Sequence, residues 1–415
     1  MVENKIKTVK KSTEKKTVTP KKVTKKVAIS KTPKVVKKST EKKKATREKR
    51  KIFKKTNRSR GLSMKDYDLY EAHIKEVLRL EKHPSNPILY PDESIHWEKK
   101  GMLNPAALYD NGKIHLVYRA ITHDDNSVLG YINSDDGINF DLSSKQLCYI
   151  HKKEPRTKKK KMKYASGGGG EGGCEDPRLI KIDDKVYLIY NAFNGWDSIR
   201  IAMSYISLED FRSNRWNWSE TIYLSPPNQR HKNWLLFPQK INNNFAIIHS
   251  ISIKILIEYI DSFDYFDGDS FIHSIHDGSP LWALRNKLIR GVGPTPIWTP
   301  KGWLIFYHGM DPGQLDKYKI FAMILDLKDP TKIIAKSRHA VIEPEQVYEM
   351  TGIKPGIVYS CGTVVIDDTI NVYYGASDNY ICVATTNYTQ FVDDLIKYSD
   401  VIIRKHTEVR NVNPF

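Results

Sequence analysis

The feature that most restricts the fold of this 415-residue chain is a unit that occurs five times. Each copy is a polar turn followed by an alternating apolar stretch that ends near an aromatic residue or a histidine. The copies are KIHLVYRA (113–120), KVYLIYNA (185–192), NFAIIHSI (244–251), GWLIFYHG (302–309) and INVYYGAS (370–377). Their marker residues are Tyr118, Tyr190, His249, Tyr307 and Tyr374. Alternation of apolar and polar residues is typical of β-strands, so the repeat predicts an all-β fold.

Each copy is also preceded by one apolar stretch and followed by another. For the last copy these are CGTVVID (361–367) and YICVATTNYTQF (380–391). Three strands in each unit, with a fourth in the variable connection, are what a propeller blade requires, and five units predict a five-bladed β-propeller. One or two ordinary antiparallel sheets are the alternative.

The chain before the repeats differs in composition. Residues 1–62 hold 25 of the 67 Lys and Arg residues but 4 of the 48 Asp and Glu residues, a net charge of +21, so the remainder has a net charge of −2. This tail contains too little apolar surface to fold and is predicted to be disordered. It is expected to be a solvated arm or to bind nucleic acid or another polyanion, with a nuclear location as one possibility.

Residues 63–84 are predicted to form a short amphipathic helix, and residues 85–415 the propeller. Between Met64 and about His83, the apolar side chains of Tyr70, Ile74, Val77 and Leu78 recur at helical spacing. No secretory signal follows Met1 and no apolar run is long enough to span a membrane, which favours an intracellular, cytoplasmic protein. The four cysteines lack CxxC spacing, so we expect reduced thiols, no metal site and no cofactor.

One stretch, EGGCEDPR (171–178), combines glycines with two carboxylates, Glu175 and Asp176. Acids at the point where a loop enters a strand can be held rigidly for proton transfer, whereas a surface turn with an ion pair is the alternative. The residue fourteen positions before each marker is equivalent in the five units. These residues are Asn104, Asp176, Leu235, Gly293 and Ser360. Because the innermost strands of a propeller converge on its axis, we expect Asp176 to face a central pocket.

Several motifs, taken in order, resemble glycoside hydrolase family 130, whose members are five-bladed propellers that act on β-mannosides, mostly by phosphorolysis. The motifs are GCEDPR (173–178), Lys232 followed by LLFP (235–238), GPTPIWTPKGWLIFYHG (293–309), YKIFAMILDLKDP (318–330) and YYGASD (373–378). The resemblance runs from about Asn104 to Thr386. The basic tail, the predicted helix and the insertion at 151–170, which is expected to be a mobile loop with lysines at 158–161, lie outside it.

The resemblance implies roles for nine residues. Asp176 would be the general acid, and its proton would reach the glycosidic oxygen through the 3-hydroxyl of mannose. Substrate contacts would come from Asn104, Arg119, Glu175 and Asp378. Phosphate contacts would come from Arg178, Lys232, His308 and Tyr318. The substrates would be a β-mannoside oligosaccharide and inorganic phosphate, and the product would be mannose 1-phosphate.

One departure from the family pattern leaves the nucleophile open. Phosphorylases of this family tend to carry His-Arg where this chain has His249-Ser250, which weakens the expected phosphate site. Glu258, on the next predicted strand, could instead be the base of an inverting hydrolysis, which needs a second carboxylate about 6.5–9.5 Å from the acid. We therefore expect a β-mannoside phosphorylase, with an inverting β-mannosidase and a non-catalytic sugar-binding propeller as alternatives. The linkage and the oligomeric state stay open.

Overall fold

The computed structural model of the protein describes residues 64–152, 172–279 and 288–399. Strands account for far more of this backbone than helices do, so the prediction of a predominantly β fold is confirmed. The predicted basic tail and the lysines at 158–161 lie outside the described residues. Among the described residues, no helix is long and apolar enough to cross a membrane. Every sheet, pocket and ion pair discussed below belongs to the unit formed by residues 71–415.

The helices and strands are numbered here in chain order. The helices are α1 (Met64–Val77), α2 (Leu208–Arg212), α3 (Val347–Met350) and α4 (Tyr388–Lys397), with a 3₁₀ turn at Phe263–Tyr265. The strands are β1 (Glu81–Lys82), β2 (Gly101–Asp110), β3 (Lys113–Ile121), β4 (Asn126–Ser134), β5 (Phe140–Tyr149), β6 (Gly172–Ile182), β7 (Lys185–Phe193), β8 (Ile199–Ser207), β9 (Ile222–Tyr223), β10 (Leu235–Leu236), β11 (Phe245–Ser250), β12 (Leu256–Ile260), β13 (Ile289–Val292), β14 (Ile297–Thr299), β15 (Gly302–Asp311), β16 (Gln314–Leu325), β17 (Ile333–Lys336), β18 (Val358–Ile366), β19 (Thr369–Ala376) and β20 (Tyr380–Asn387).

These strands form five successive antiparallel groups. An eight-stranded sheet contains the first two groups, β2–β5 and β6–β9, which are joined by a short parallel pairing of Asn126 and Ser127 with Gly172 and Gly173. The other groups are β10–β12, β13–β17 and β18–β20. The strands β3, β7, β11, β15 and β19 coincide with the five repeated stretches of the sequence. The last group is completed by β1, which pairs with β20 although the two strands lie at opposite ends of the described chain.

Buried apolar side chains connect each group to the next. One cluster joins the first and second groups, and others join the second to the third and the third to the fourth. A smaller cluster places Tyr318 of the fourth group against Tyr359 and Cys361 of the fifth. A further cluster joins Val364 and Val383 of the fifth group to Met102 of the first. The apolar contacts therefore run round all five groups and return to the start.

Two predicted boundaries differ from the structure. The helix predicted from Met64 to about His83 ends at Val77, because the following residues pair as β1 with β20 and Pro84 cannot continue a helix. The acids Glu175 and Asp176 are expected at the point where a loop enters a strand. They lie within β6, which begins at Gly172.

The closing strand β1 depends on a buried ion pair. Glu349 of α3 is fully buried and accepts hydrogen bonds from Lys82 Nζ at 2.6 Å and from the Tyr374 hydroxyl at 2.9 Å. It also accepts the backbone N–H groups of Glu345 and Gln346. Glu349 therefore links β1, β19 and the chain that precedes α3.

We expect Glu349→Ala to lower the free energy of unfolding by about 3–5 kcal/mol, because it leaves the Lys82 ammonium buried without its partner. Urea denaturation at neutral pH measures this change. Glu209→Ala is the matched control, since that carboxylate is exposed and pairs with Arg215 on the surface. If the two variants lost a similar amount of unfolding free energy, the buried Lys82–Glu349 pair would contribute no more to stability than a surface ion pair.

Candidate active site

A repeated irregularity of the backbone places the first two site residues. Asn104 in β2 and Asp176 in β6 each precede a proline and have positive φ angles of 49° and 51°. The pairing of β2 with β3 omits residues 104–105, and the pairing of β6 with β7 omits residues 176–177. Asn and Asp tolerate this left-handed conformation, and a bulge redirects their side chains out of the sheet. Asn104 Nδ2 consequently donates to Asp176 Oδ1 at 2.7 Å.

Asp176 faces a small pocket of about 130 Å³ that is lined by residues of the first, second, fourth and fifth strand groups and of the connection that leads into the third. The lining residues are Asn104, Arg119, Asp176, Lys232, Asn233, Tyr318, Lys354, Ile357, Tyr359 and Asp378. Six of the nine residues assigned from the resemblance line it. The sequence did not predict Asn233, Lys354, Ile357 or Tyr359.

A larger cavity, of about 540 Å³, lies farther along the same strands and is not the candidate site. It is lined mostly by apolar residues, in segments such as 107–109, 179–183 and 363–365. Lys181, one of its charged side chains, is bonded to Asp110. The smaller pocket is chosen because it brings two carboxyl groups together with three cationic side chains.

The carboxylate of Asp176 is held by donors on both oxygens. Asn191 Nδ2 donates to Oδ2 at 3.1 Å, and Arg119 Nη1 lies 3.5 Å from Oδ1. Burial opposes ionisation, but the charges of Arg119 and Lys232 and the hydrogen bond from Asn104 outweigh it and hold the pKa of Asp176 below its usual value. Asp176 is therefore ionised at neutral pH when the pocket contains no ligand.

Glu175 lies beneath the pocket and positions two of its cations. Its side chain is fully buried, with Oε1 3.2 Å from Arg119 Nη2 and Oε2 3.2 Å from Lys232 Nζ. Arg119 Nε also donates to Ser127 Oγ at 3.0 Å. Glu175 does not line the pocket but contacts two residues that do, and its expected contact with substrate stays a prediction.

Asp378 differs from Asp176 in its electrostatic environment. It lies in the turn between β19 and β20, is 5% exposed and has a positive φ of 54°. Burial, together with the charge of Asp176, raises the pKa of Asp378 to about 6, although Lys354 and Arg119 oppose this shift. Two carboxyl groups of one pocket thus have pKa values displaced in opposite directions, a pattern that often separates acid and base roles.

Arg178 and His308 lie behind the pocket wall and not among its lining residues. Arg178 Nε donates to the Gly293 carbonyl at 2.8 Å, Nη1 to that of Asp176 at 2.9 Å and Nη2 to that of Val292 at 3.1 Å. Its guanidinium group therefore braces β6 against β13. The phosphate contact expected for Arg178 stays a prediction.

The ring of His308 stacks on that of Tyr359, with ring centroids 3.9 Å apart and an interplanar angle of 9°. His308 Nε2 accepts the Ser360 N–H at 3.0 Å. Burial, and then the charge of Arg178, lowers the pKa of His308 to about 3, so the imidazole is neutral. It supports the wall residue Tyr359, and its expected phosphate contact also stays a prediction.

Glu258 is not brought to the pocket. It is exposed on β12, the last strand of its sheet, where it lies opposite Ile247.

Asn191 donates a hydrogen bond to Asp176 but was not predicted from the sequence. The sequence does contain a signal for Asn191, because this residue directly follows the marker Tyr190. Arg119 and His308 follow the markers of their own units in the same way. Lys354 precedes β18 in a segment without a counterpart in the other units, so the repeat gave no signal for it.

Comparison with known proteins identifies the family of the chain. The model of glycoside hydrolase family 130, described as beta-1,4-mannooligosaccharide phosphorylase, matches residues 78–397. A 1,2-beta-oligomannan phosphorylase from Thermoanaerobacter sp. (strain X514) is 33% identical over 319 residues, which are 74% of this chain and 97% of that protein. The chain belongs to glycoside hydrolase family 130. A beta-1,4-mannooligosaccharide phosphorylase from Ruminococcus albus is 28% identical, covering 81% of this chain and 94% of that relative.

Solved structures of family 130 proteins show the same fold. The complex of beta-1,2-mannobiose phosphorylase from Listeria innocua with beta-1,2-mannobiose superposes with a TM-score of 0.56 at 20% identity, covering 76% of this chain and 99% of that one. A structure described with glycoside hydrolases of the family that target beta-1,2 mannosidic linkages in Candida mannan has a TM-score of 0.57 at 22% identity, covering 75% and 94%. Phosphorylases and hydrolases thus share this fold.

The raised pKa of Asp378 predicts a pH-dependent effect on stability. A carboxyl group whose pKa rises on folding stabilises the fold fully below its unfolded pKa of about 4, and this contribution is lost as the pH rises through about 6. We expect Asp378→Asn, which cannot ionise, to be more stable than the unsubstituted protein by up to about 3 kcal/mol at pH 7.5, with most of the gain absent near pH 4.

Urea unfolding at pH 4.5 and pH 7.5 measures this difference. Asp135→Asn is the control, because the Asp135 side chain is 82% exposed, and it should change stability equally at both pH values. An Asp378→Asn variant whose relative stability is the same at the two pH values would contradict a raised pKa.

Proposed function

We propose that this protein is an inverting β-mannoside phosphorylase, which transfers a mannosyl group to inorganic phosphate and forms α-mannose 1-phosphate. The observation that carries the proposal is the combination in one pocket of the acid Asp176 with the cations Arg119, Lys232 and Lys354. Phosphate is itself a nucleophile and needs cations to hold it, whereas water needs a carboxylate base. Lys354 adds a positive charge to the pocket, although the His249-Ser250 pair lacks the expected arginine.

The bonds that change can be assigned to this pocket. A phosphate oxygen attacks the anomeric carbon from the face opposite the glycosidic oxygen. The bond between the anomeric carbon and the glycosidic oxygen then breaks. The departing oxygen takes a proton that originates from Asp176 and passes through the 3-hydroxyl of mannose. Asn104 and Asn191 hold the Asp176 carboxyl group in place during this transfer.

The proton on Asp176 depends on the bound phosphate. In the ligand-free pocket the charges of Arg119 and Lys232 keep this carboxyl ionised. A phosphate anion beside the same cations offsets their field and raises the pKa of Asp176. Binding of the co-substrate would thereby convert Asp176 into the acid that the reaction needs.

We further infer that the five antiparallel groups are the blades of a five-bladed propeller. The ring of apolar clusters supports this arrangement, because one cluster connects the fifth group to the first. The pairing of β1 with β20 supports it as well, since an early strand completing the last blade is one way to close a propeller. The pocket, which is lined by four of the groups and by the connection into the third, would then lie on the axis.

Hydrolysis is the competing function, and one observation favours it. Asp378 is a second carboxyl group in the same pocket, and its pKa of about 6 suits a base at neutral pH. Glu258, the base expected from the sequence, is exposed on β12 and does not line the pocket. If water is the nucleophile, Asp378 is therefore the residue to test.

The deciding assay measures mannose 1-phosphate and free mannose released from β-1,2- and β-1,4-mannobiose, with and without phosphate. We expect mannose 1-phosphate to form when phosphate is present, and Asp176→Asn to reduce its formation at least about a hundredfold through loss of the proton donor. Glu258→Gln, the matched control at an exposed carboxylate, should retain activity.

Free mannose released at an undiminished rate without phosphate would overturn phosphorolysis in favour of hydrolysis. Turnover of neither disaccharide, combined with sugar binding that survives Asp176→Asn, would instead support a non-catalytic binding protein.

Trp196 offers a platform for sugar units beyond the cleaved bond. It lies in the turn between β7 and β8 and is 36% exposed. Its ring centroid lies 5.7 Å from Lys232 Nζ, which lines the pocket, and it packs edge-on against Phe193. A partly exposed indole beside a sugar pocket can stack on a pyranose ring.

We expect Trp196→Ala to raise KM for mannotriose and longer substrates by about tenfold, corresponding to the loss of roughly 1.4 kcal/mol of stacking, with a smaller effect on mannobiose. Trp196→Phe keeps an aromatic face and should retain most of the affinity. Steady-state kinetics with substrates of increasing length measure both variants. An equal rise in KM for every length would argue against a distal platform.

A further inference from the structure

Two imidazoles and a carboxylate meet on the surface of the first strand group, outside the pocket. His96 lies in the turn before β2, and His123 and Asp124 lie in the turn between β3 and β4. Asp124 Oδ1 is 3.0 Å from His123 Nδ1, and Asp124 Oδ2 is 3.7 Å from His96 Nε2. Each of the three residues offers one potential ligand atom, a ring nitrogen or a carboxylate oxygen, and these three atoms all lie within 4.8 Å of one another. All three side chains are exposed.

The main chain holds the two turns together. The His123 N–H donates to the His96 carbonyl at 3.0 Å, so the two histidines approach through a backbone hydrogen bond. Within the second turn, Thr122 Oγ1 accepts the N–H groups of Asp124 and Asn126. The three side chains are therefore brought together by the fold as well as by their own attraction.

From this geometry we propose that His96, His123 and Asp124 form a binding site for a divalent first-row transition-metal ion such as Zn²⁺. Zn²⁺ binds imidazole nitrogen and carboxylate oxygen at about 2.0–2.2 Å, so ligand atoms on a tetrahedron lie roughly 3.4 Å apart. The observed separations require small side-chain movements to reach that value. Two imidazole ligands favour such ions over Mg²⁺ and Ca²⁺, and water completes the coordination.

The position of the site gives the bound ion a structural role. The residues after His96 are Trp97, whose ring lies 6.3 Å from that of Tyr118, and Glu98, which accepts the Tyr118 hydroxyl at 2.7 Å. Tyr118 immediately precedes Arg119 of the pocket. An ion at the site would fasten this turn to the end of β3 and stabilise the strand that supplies Arg119. The inference does not depend on which reaction the pocket catalyses.

Isothermal titration calorimetry of the full chain with Zn²⁺, in phosphate-free buffer, tests the proposal. We expect binding at one ion per chain to this site and a rise in Tm on adding Zn²⁺. His96→Ala and His123→Ala should each weaken the affinity by at least about tenfold and abolish the rise in Tm, because each removes a direct ligand. Asp124→Asn should weaken binding as well. Co²⁺ gives a second readout, since its visible absorption reports tetrahedral nitrogen and oxygen ligands.

His273→Ala is the matched control, because His273 is an exposed histidine outside the cluster and should leave the titration unchanged. Circular dichroism confirms that the surface variants remain folded. Zn²⁺ affinity and Tm shifts that are the same in His96→Ala, His123→Ala and the unsubstituted protein would overturn the proposal. So would the absence of measurable Zn²⁺ binding by the unsubstituted protein.

Discussion

The pocket depends on the ion pairs that the buried guanidinium group of Arg119 makes with two carboxylates. Arg119 lies on β3 in the first strand group and contacts Glu175 and Asp176 on β6 in the second. These two groups share only a two-residue parallel pairing in their sheet, so the ion pairs add a link where backbone hydrogen bonds are few. A buried cation needs nearby carboxylates, and removing either partner would leave an uncompensated charge. Scaffold and active-site electrostatics therefore rest on the same side chain.

That dependence explains why Asp176, the proposed acid, is ionised in this pocket. Glu175 holds Arg119 and Lys232 beside Asp176, and their charges exceed the effect of burial on its pKa. A carboxyl group that served as general acid without help from a bound anion would need a raised pKa, such as that of Asp378. The arrangement suits a reaction whose second substrate is an anion, because that anion offsets the same cations and restores the proton affinity of Asp176. For water as nucleophile, no such compensation would accompany binding.

Much of the fold and part of the site could be predicted from the sequence. Apolar alternation located the five repeated strands, and a constant fourteen-residue spacing put Asn104 and Asp176 in equivalent positions. The bulges that aim these side chains could not be predicted, because they depend on how each strand pairs with its partner. Arg178 donates to the carbonyls of Gly293 and Val292 at β13, a contact between distant parts of the chain that the sequence does not reveal, and its expected phosphate contact stays a prediction. Which strand is outermost, and hence the exposure of Glu258, is likewise a tertiary property.

Strands and the segments between them supply two parts of the proposed chemistry. Strands β2, β3, β6 and β7 supply Asp176, its amide partners Asn104 and Asn191, and Arg119, which any cleavage of a mannoside in this pocket is proposed to use. Lys354 precedes β18 and Asp378 lies in the turn between β19 and β20, and they supply a further cation and a further carboxyl group. A cation favours phosphate and a base favours water, so we propose that these two residues influence the choice of nucleophile. Since turns change without disturbing the strand ladders, one scaffold can accommodate either reaction.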